Sequence, residues 1–217
     1  MDVLIDLKVA ELLCSRLCHE LINPVGAVSN GVELIAEFED EPDREALALI
    51  AQSARSAARR LQFYRVAYGL AAGVNTNLTL AEIGGLAEGV LEGARLRLEW
   101  PREGREAEWR PSRDGLKLLL NLIVLASEAL PRGGRVEVMA VQRAEQMEII
   151  VKAAGEQAGL GDEASRAFRG EARIEELTAR TAHAYFTGRL SARGELSVAI
   201  AESAESIAFR LALPARS

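Results

Sequence analysis

Apolar and small residues recur along the start of the chain with the period of a helix. Leu4, Leu7, Cys14, Cys18, Leu21, Val25, Val28, Val32 and Ile35 make one stripe, and from Cys14 onward the steps are 4, 3, 4, 3, 4 and 3. That is a heptad seam. A helix from Leu4 to Phe38 would span roughly 50 Å at ~1.5 Å per residue. Phe38-Glu39-Asp40-Glu41-Pro42 should break it, with Asp40 as N-cap and Pro42 in the first turn of a second helix. There the pattern returns: Leu47, Ile50, Ala54, Ala57, Leu61, Tyr64 and Tyr68 step by 3, 4, 3, 4, 3 and 4. It fades at Ala71-Ala72-Gly73. A short turn between two long seams predicts an antiparallel helical hairpin. Two helices leave too much of such stripes uncovered, so the expected assembly is a homodimer closing a four-helix bundle.

Asn75-Thr76-Asn77 marks a boundary, after which the pattern turns mixed. Thr79-Leu80-Ala81-Glu82 is a capping box opening a helix to about Gly93. Leu96, Leu98 and Trp100 alternate as a strand does. Pro111-Ser112 opens a helix through Leu116, Leu119, Leu120, Ile123 and Leu130, ended by Pro131-Arg132-Gly133-Gly134. Two strands follow, one with Val136 and Val138, the other with Met147, Ile149 and Val151. Between Gly161 and Gly170 the pattern is ambiguous. A helix is expected from Ala172 to Thr187, then a closing hairpin through Leu196, Val198, Ile200 and Ile207, Phe209, Leu211, Leu213. The fold class read here is α+β. Residues 1–74 form the helical hairpin for dimerisation, and residues 75–217 form an α/β sandwich of ordinary domain size.

Composition narrows the function. The 217 residues are 49% apolar and 27% charged with a net charge of -6, a globular mixture. The acidic balance removes the electrostatic footprint expected of a nucleic-acid binder. No apolar run approaches the ~20 residues of a membrane span, and the acidic Met1-Asp2 start lacks the basic opening of a signal peptide. The expectation is a cytoplasmic protein with no membrane partner. The only cysteines are Cys14 and Cys18. Both fit the seam as small apolar fillers, and no metal site is expected from them. His19 and His183 are the whole imidazole supply; His183, near Tyr185 and Phe186, reads as a structural or surface residue.

The informative stretch is His19-Glu20-Leu21-Ile22-Asn23-Pro24. Cys18 and Leu21 occupy the seam, so His19 lies one step outside it and should be exposed at mid-helix. Asn23, Gly26, Ala27 and Asn30 share its side, a small and polar stripe that another protein can approach closely. Pro24 has no N–H and clashes with the Glu20 carbonyl, which should kink the helix. Such a proline costs about 3 kcal/mol in an ordinary helix interior. A neutral exposed imidazole is a good nucleophile near pH 7 and can carry a phosphoryl group as a phosphoramidate.

This stretch resembles the phospho-accepting box of bacterial sensor histidine kinases. From Ser15 to Leu34 the chain is more similar still to the ChpT-type histidine phosphotransferases. The resemblance implies a dimerisation and phosphotransfer hairpin followed by a histidine-kinase ATPase-like sandwich. It implies His19 as phospho-acceptor, with Glu20 and Asn23 assisting. It implies a docking face that includes Ile22, Pro24, Gly26, Ala27 and Asn30. The expected partners are receiver domains of a hybrid kinase and of response regulators.

The second half departs from a working kinase. In the run that matches the Asn-rich helix, Asn121 is present but Leu125 stands where a second Asn is expected. In the run that matches the Asp-x-Gly-x-Gly box, Ala153 replaces Asp and Gln157 replaces the second Gly. The Gly-rich lid is missing. The expectation is a degenerate ATPase-like domain without ATP, with Mg²⁺ supplied by the partner receiver and no cofactor of its own. The alternatives are an autophosphorylating kinase core and a non-catalytic scaffold or kinase inhibitor on the same fold.

Overall fold

The computed structural model describes residues 6–37, 44–69, 77–92, 95–143, 146–193 and 196–214. The start at Leu4, the break at Asp40 and Pro42, the fading at Ala71-Gly73, the first part of the Asn75 boundary and the helix end at Gly93 lie outside the described residues.

The two seams form α1 (Leu7–Glu37) and α2 (Arg44–Tyr68). They run antiparallel, because Glu20 pairs with Arg60 while Gly31 lies against Ile50. Gly31 is required for this approach: a Cβ there would stand 2.4 Å from Ile50 Cγ1. The face that α1 buries within the chain carries Val9, Leu13 and Gly31. At about 100° per residue this face lies roughly a third of a turn from the heptad stripe. The stripe itself points outward. Val25 and Val32 are each 54% exposed, and Cys14 and Cys18 are exposed free thiols. On α2, Leu47 and Leu61 are likewise exposed, whereas Tyr64 is buried. The sequence reading that Cys18 and Leu21 face a core therefore needs a correction within one chain. A single chain offers α1 only one long neighbour, α2, and that neighbour occupies the adjacent face.

The sandwich begins with α3 (Leu80–Leu91), whose capping box forms as expected. Thr79 Oγ1 accepts from the Glu82 N–H, and Glu82 Oε2 accepts from the Thr79 N–H at 2.7 Å. After β1 (Leu96–Glu99) comes α4 (Arg113–Glu128), where the Ser112 hydroxyl accepts from the Gly115 N–H. The rest is β2 (Gly134–Arg143), β3 (Gln146–Ala154), α5 (Asp162–Phe168), a 3₁₀ turn (Ile174–Glu176), α6 (Ala182–Arg193), β4 (Val198–Ser203) and β5 (Ser206–Pro214). The strands lie in the order β1-β2-β3-β5-β4, with β1 and β2 parallel and the other pairs antiparallel. Met147, Ile149, Val151 and Ala153 turn one face of β3 inward, as Ile207, Phe209, Leu211 and Leu213 do on β5. Helix α4 lies on that face and is buried at every position from Leu118 to Ala126, because α2, α3 and α6 surround its other sides.

Two expectations change. The segment left ambiguous between Gly161 and Gly170 is α5. The helix expected from Ala172 starts instead at Ala182, because Thr178 sets its N-terminus. The Thr178 carbonyl accepts from the Ala182 N–H at 2.9 Å, and its hydroxyl accepts from the Thr181 N–H at 3.3 Å.

Candidate functional site

Helix α1 continues through Pro24. Proline gives no hydrogen bond to the Glu20 carbonyl, so the ladder is one bond short immediately after His19. His19, Asn23 and Asn30 are exposed, as is Ile22 at 65%. Glu20, Pro24, Gly26 and Ala27 are half-buried. A Cβ at Gly26 would meet nothing within 4 Å, so the space over that part of the stripe is open. All of the sequence-predicted residues thus sit on one helix over three turns. His19 stands at the surface and Glu20 turns toward the body of the protein.

Glu20 is held there by Arg60. Its Oε2 accepts from Arg60 Nη1 at 2.5 Å, while Arg60 Nη2 reaches the Glu92 carbonyl at 3.4 Å. Beyond this pair opens a cleft of about 510 Å³ between the hairpin and the sandwich. Arg16, Glu20, Arg60 and Tyr64 form its hairpin wall; Val124, Ser127, Glu128 and the turn Pro131-Gly133 are on the other side, with Arg95 at the rim. Four guanidinium groups (Arg16, Arg60, Arg95, Arg132) line it with two carboxylates (Glu20, Glu128); Arg16 pairs with Glu128, Arg60 with Glu20, and Arg132 with Glu156 just outside. Burial pushes the Tyr64 phenol up to about 12, and the Glu20 carboxylate adds to the shift.

Behind the cleft, a chain of polar groups joins the two halves of the molecule. Arg16 pairs with Glu128. Glu128 Oε2 is 3.4 Å from His183 Nδ1, and His183 Nε2 is 3.1 Å from Asn121 Oδ1. The Asn121 amide donates to the carbonyls of Ala67 at 3.0 Å and Lys117 at 2.8 Å. Both of its hydrogens are used, so Oδ1 faces the imidazole and His183 Nε2 donates to it. His183 is fully buried, which places it among the structural histidines. Burial alone would raise the Glu128 carboxyl, but the His183 imidazole and the Arg16 guanidinium hold it below its ordinary range. Sequence reasoning missed Arg16, Arg60 and Glu128. A signal was there: Arg16 and Glu20, four apart, share the α1 face that otherwise carries Val9, Leu13 and Gly31.

The positions expected to hold a nucleotide are otherwise engaged. Asn121 is committed to Ala67, Lys117 and His183, and Leu125 and Ala153 are fully buried. Gln157, where the resemblance expected a glycine, has φ 59°, the left-handed conformation that glycine adopts freely. The adjoining cavity of about 430 Å³ presents Glu128, Asp162 and Glu163 against Arg180, an unfavourable lining for a polyphosphate. Among the described residues there is no group of three or more His, Cys, Asp or Glu that could hold a metal ion. Nor is any described helix long and apolar enough to cross a membrane.

The model for the histidine phosphotransferase C-terminal domain matches residues 80–206. The protein phosphotransferase ChpT of Brucella abortus (strain 2308) is 32% identical over 203 residues, which are 94% of each chain. The chain belongs to the ChpT-type histidine phosphotransferase family. A solved bacterial phosphotransferase is similar to it with 30% identity and a TM-score of 0.76, over 97% of this chain and 98% of that one. The catalytic domain of the histidine kinase ThkA aligns with 13% identity and a TM-score of 0.48, over 64% of this chain and 96% of that one. The chain thus shares its fold, a helical hairpin followed by an α/β sandwich, with that solved phosphotransferase, and the protein is a phosphotransferase.

Proposed function

We propose that this protein is a histidine phosphotransferase of a multistep phosphorelay, with His19 as the group that carries the phosphoryl. The observation that supports this most directly is the exposed imidazole of His19 on α1, next to the cleft between the hairpin and the sandwich. An imidazole nitrogen attacks the phosphorus of an aspartyl phosphate on one receiver domain. The N–P bond forms, the acyl P–O bond breaks, and its electron pair leaves with the receiver's carboxylate. Reversal onto a second receiver returns the imidazole. Phosphoryl transfer needs positioning and charge stabilisation more than covalent machinery. The receiver's Mg²⁺ supplies part of that stabilisation, and the chain uses no ATP.

In this reading Glu20, held by Arg60, and Asn23, on the His19 face, act next to the imidazole. Ile22, Pro24, Gly26, Ala27 and Asn30 form the surface on which receivers dock. Residues 1–74 are the dimerisation and phosphotransfer unit, and residues 75–217 the ATPase-like unit. The protein works in the cytoplasm as a homodimer, whose bundle uses the outward stripe of Val25 and Val32 on α1 with Leu47 and Leu61 on α2.

Labelled phosphate tests the reading. Wild type and His19→Ala are each mixed with a phosphorylated receiver domain, and separately with Mg-ATP. Acid-labile label on wild type alone, dependent on the receiver, is expected. Label from Mg-ATP would make the protein a kinase, and equal labelling of His19→Ala would remove His19 from the chemistry.

A further inference from the structure

The polar chain from Arg16 to Asn121 does more than join two layers. Arg16 lies three residues before His19 and four before Glu20, so on α1 His19 sits about 60° to one side of Arg16 and Glu20 about 40° to the other. Arg16 is tied to Glu128 of α4, and Glu20 is tied to Arg60 of α2. His19 therefore lies between two ionic anchors. It also lies at the one place where Pro24 leaves α1 short of a ladder bond. A helix with a missing bond bends easily there. The anchors hold the stretch to the sandwich on one side and to α2 on the other.

The first anchor is not a surface ion pair. The Arg16 and Glu128 side chains are 15% and 27% exposed, and Glu128 is backed by His183, which is fully buried. Asn121 holds His183 through its Oδ1 and donates its amide to the Ala67 carbonyl, so the chain returns to the hairpin through α2. Charges so placed add little to stability relative to apolar groups of the same shape, but they impose direction and distance. Tyr68 closes the side: its ring centroid is 6.2 Å from that of His183.

We propose that Arg16, Glu128 and His183 form a positioning clamp, which sets the height and tilt of the His19 stretch relative to the sandwich wall of the cleft. The clamp rests on the reading of His19 as phospho-acceptor. A receiver domain that touches both walls brings its aspartyl phosphate to His19 only when that spacing is kept. A small diffusing donor has no second wall to satisfy. The clamp therefore distinguishes a protein-borne phosphoryl group from a free one, although no clamp residue touches the reacting atoms.

The test compares two donors on the full chain. One is a phosphorylated receiver domain, and the other is phosphoramidate, which delivers its phosphoryl group directly to imidazole. The variants are Arg16→Met, Arg16→Lys and Glu128→Gln, each first shown by thermal unfolding to be folded. For Arg16→Met and Glu128→Gln, the ratio of receiver-driven to phosphoramidate-driven labelling is expected to fall, by roughly 10- to 100-fold for Arg16→Met, since misplacement by about 1 Å costs rates of that order. Arg16→Lys recovers part of the ratio, and the loss appears in the rate at saturating receiver, not in its affinity. A ratio within twofold of wild type in folded Arg16→Met and Glu128→Gln would overturn the clamp. So would a parallel fall with both donors. Failure of phosphoramidate to label wild type at His19 is a separate result: it overturns the phospho-acceptor reading itself.

Discussion

Helices α1 and α4 are both rich in leucine and valine, yet the chain treats them differently. Helix α4 is buried at eleven of its 16 positions, with the sheet on one side and three helices on the others. Helix α1 has 31 residues and buries Val9, Leu13 and Gly31 only. Its second apolar stripe, about a third of a turn from the buried face, stays largely uncovered: Leu7, Cys14, Cys18, Val25 and Val32 are exposed, and Leu21, Val28 and Ile35 half-buried. The difference teaches where to look for function. A helix whose apolar needs are all met inside the chain is scaffold. A helix that keeps one apolar stripe and one small polar stripe at the surface is prepared for two contacts. In the reading proposed here, the first is a second copy of the chain and the second a receiver domain.

The strongest way to break this contrast is to charge the uncovered stripe. Leu21→Asp would place two carboxylates in the dimeric bundle, and burial of an unpaired charge costs several kcal/mol each. Sedimentation is expected to show a dimer for wild type and a folded monomer for Leu21→Asp. A wild type that sediments as a compact monomer would remove the bundle. Next in size is a cavity in α4. Leu119 is fully buried, so Leu119→Ala should lower stability by about 2–5 kcal/mol in denaturant melts. Val25→Ala, on the exposed stripe, should change the stability of an isolated protomer by less than about 0.5 kcal/mol. It should weaken the dimer instead, so the two substitutions separate by their dependence on protein concentration. Removing the α3 cap by Thr79→Ala falls between these two effects on the protomer, at about 1 kcal/mol.

The same contrast explains what the sequence disclosed. The hairpin, the capping box at Thr79 and the alternating strands were legible because each is written by local spacing or by one cap. The exposure of His19 was legible because it follows from the seam. The direction of the seam within one chain was not, since spacing marks a stripe without naming its partner. The start of α6 was misplaced by ten residues because Thr178 and Thr181 bond each other's backbone, and no hydrophobic period records that. The anchors were hidden for a related reason. Arg60 to Glu20, Arg16 to Glu128 and His183 to Asn121 join positions from 40 to 112 residues apart, and a charge on a helix does not declare which distant charge it meets.

The smallest expected effect is the acid limb of the stability curve, and it probes the junction between the two regions. His183 and Arg16 hold the Glu128 carboxyl below its ordinary value of 4.5 in the folded protein. A carboxyl depressed in this way stabilises the fold above the unfolded value, because the unfolded chain takes up the proton first. That stabilisation is fully present at neutral pH. It fades as pH falls from about 4.5 toward the lower folded value. Glu128→Gln carries no titrating carboxyl, so its unfolding free energy should fall less steeply than that of wild type below pH 4.5 and run parallel to it above. Every other carboxylate is common to the two proteins, so a difference in slope confined to that window is assigned to the Arg16–Glu128–His183 junction. Coincident acid limbs for the two proteins would mean that Glu128 titrates alike in both states, and the junction would then hold the hairpin through packing alone.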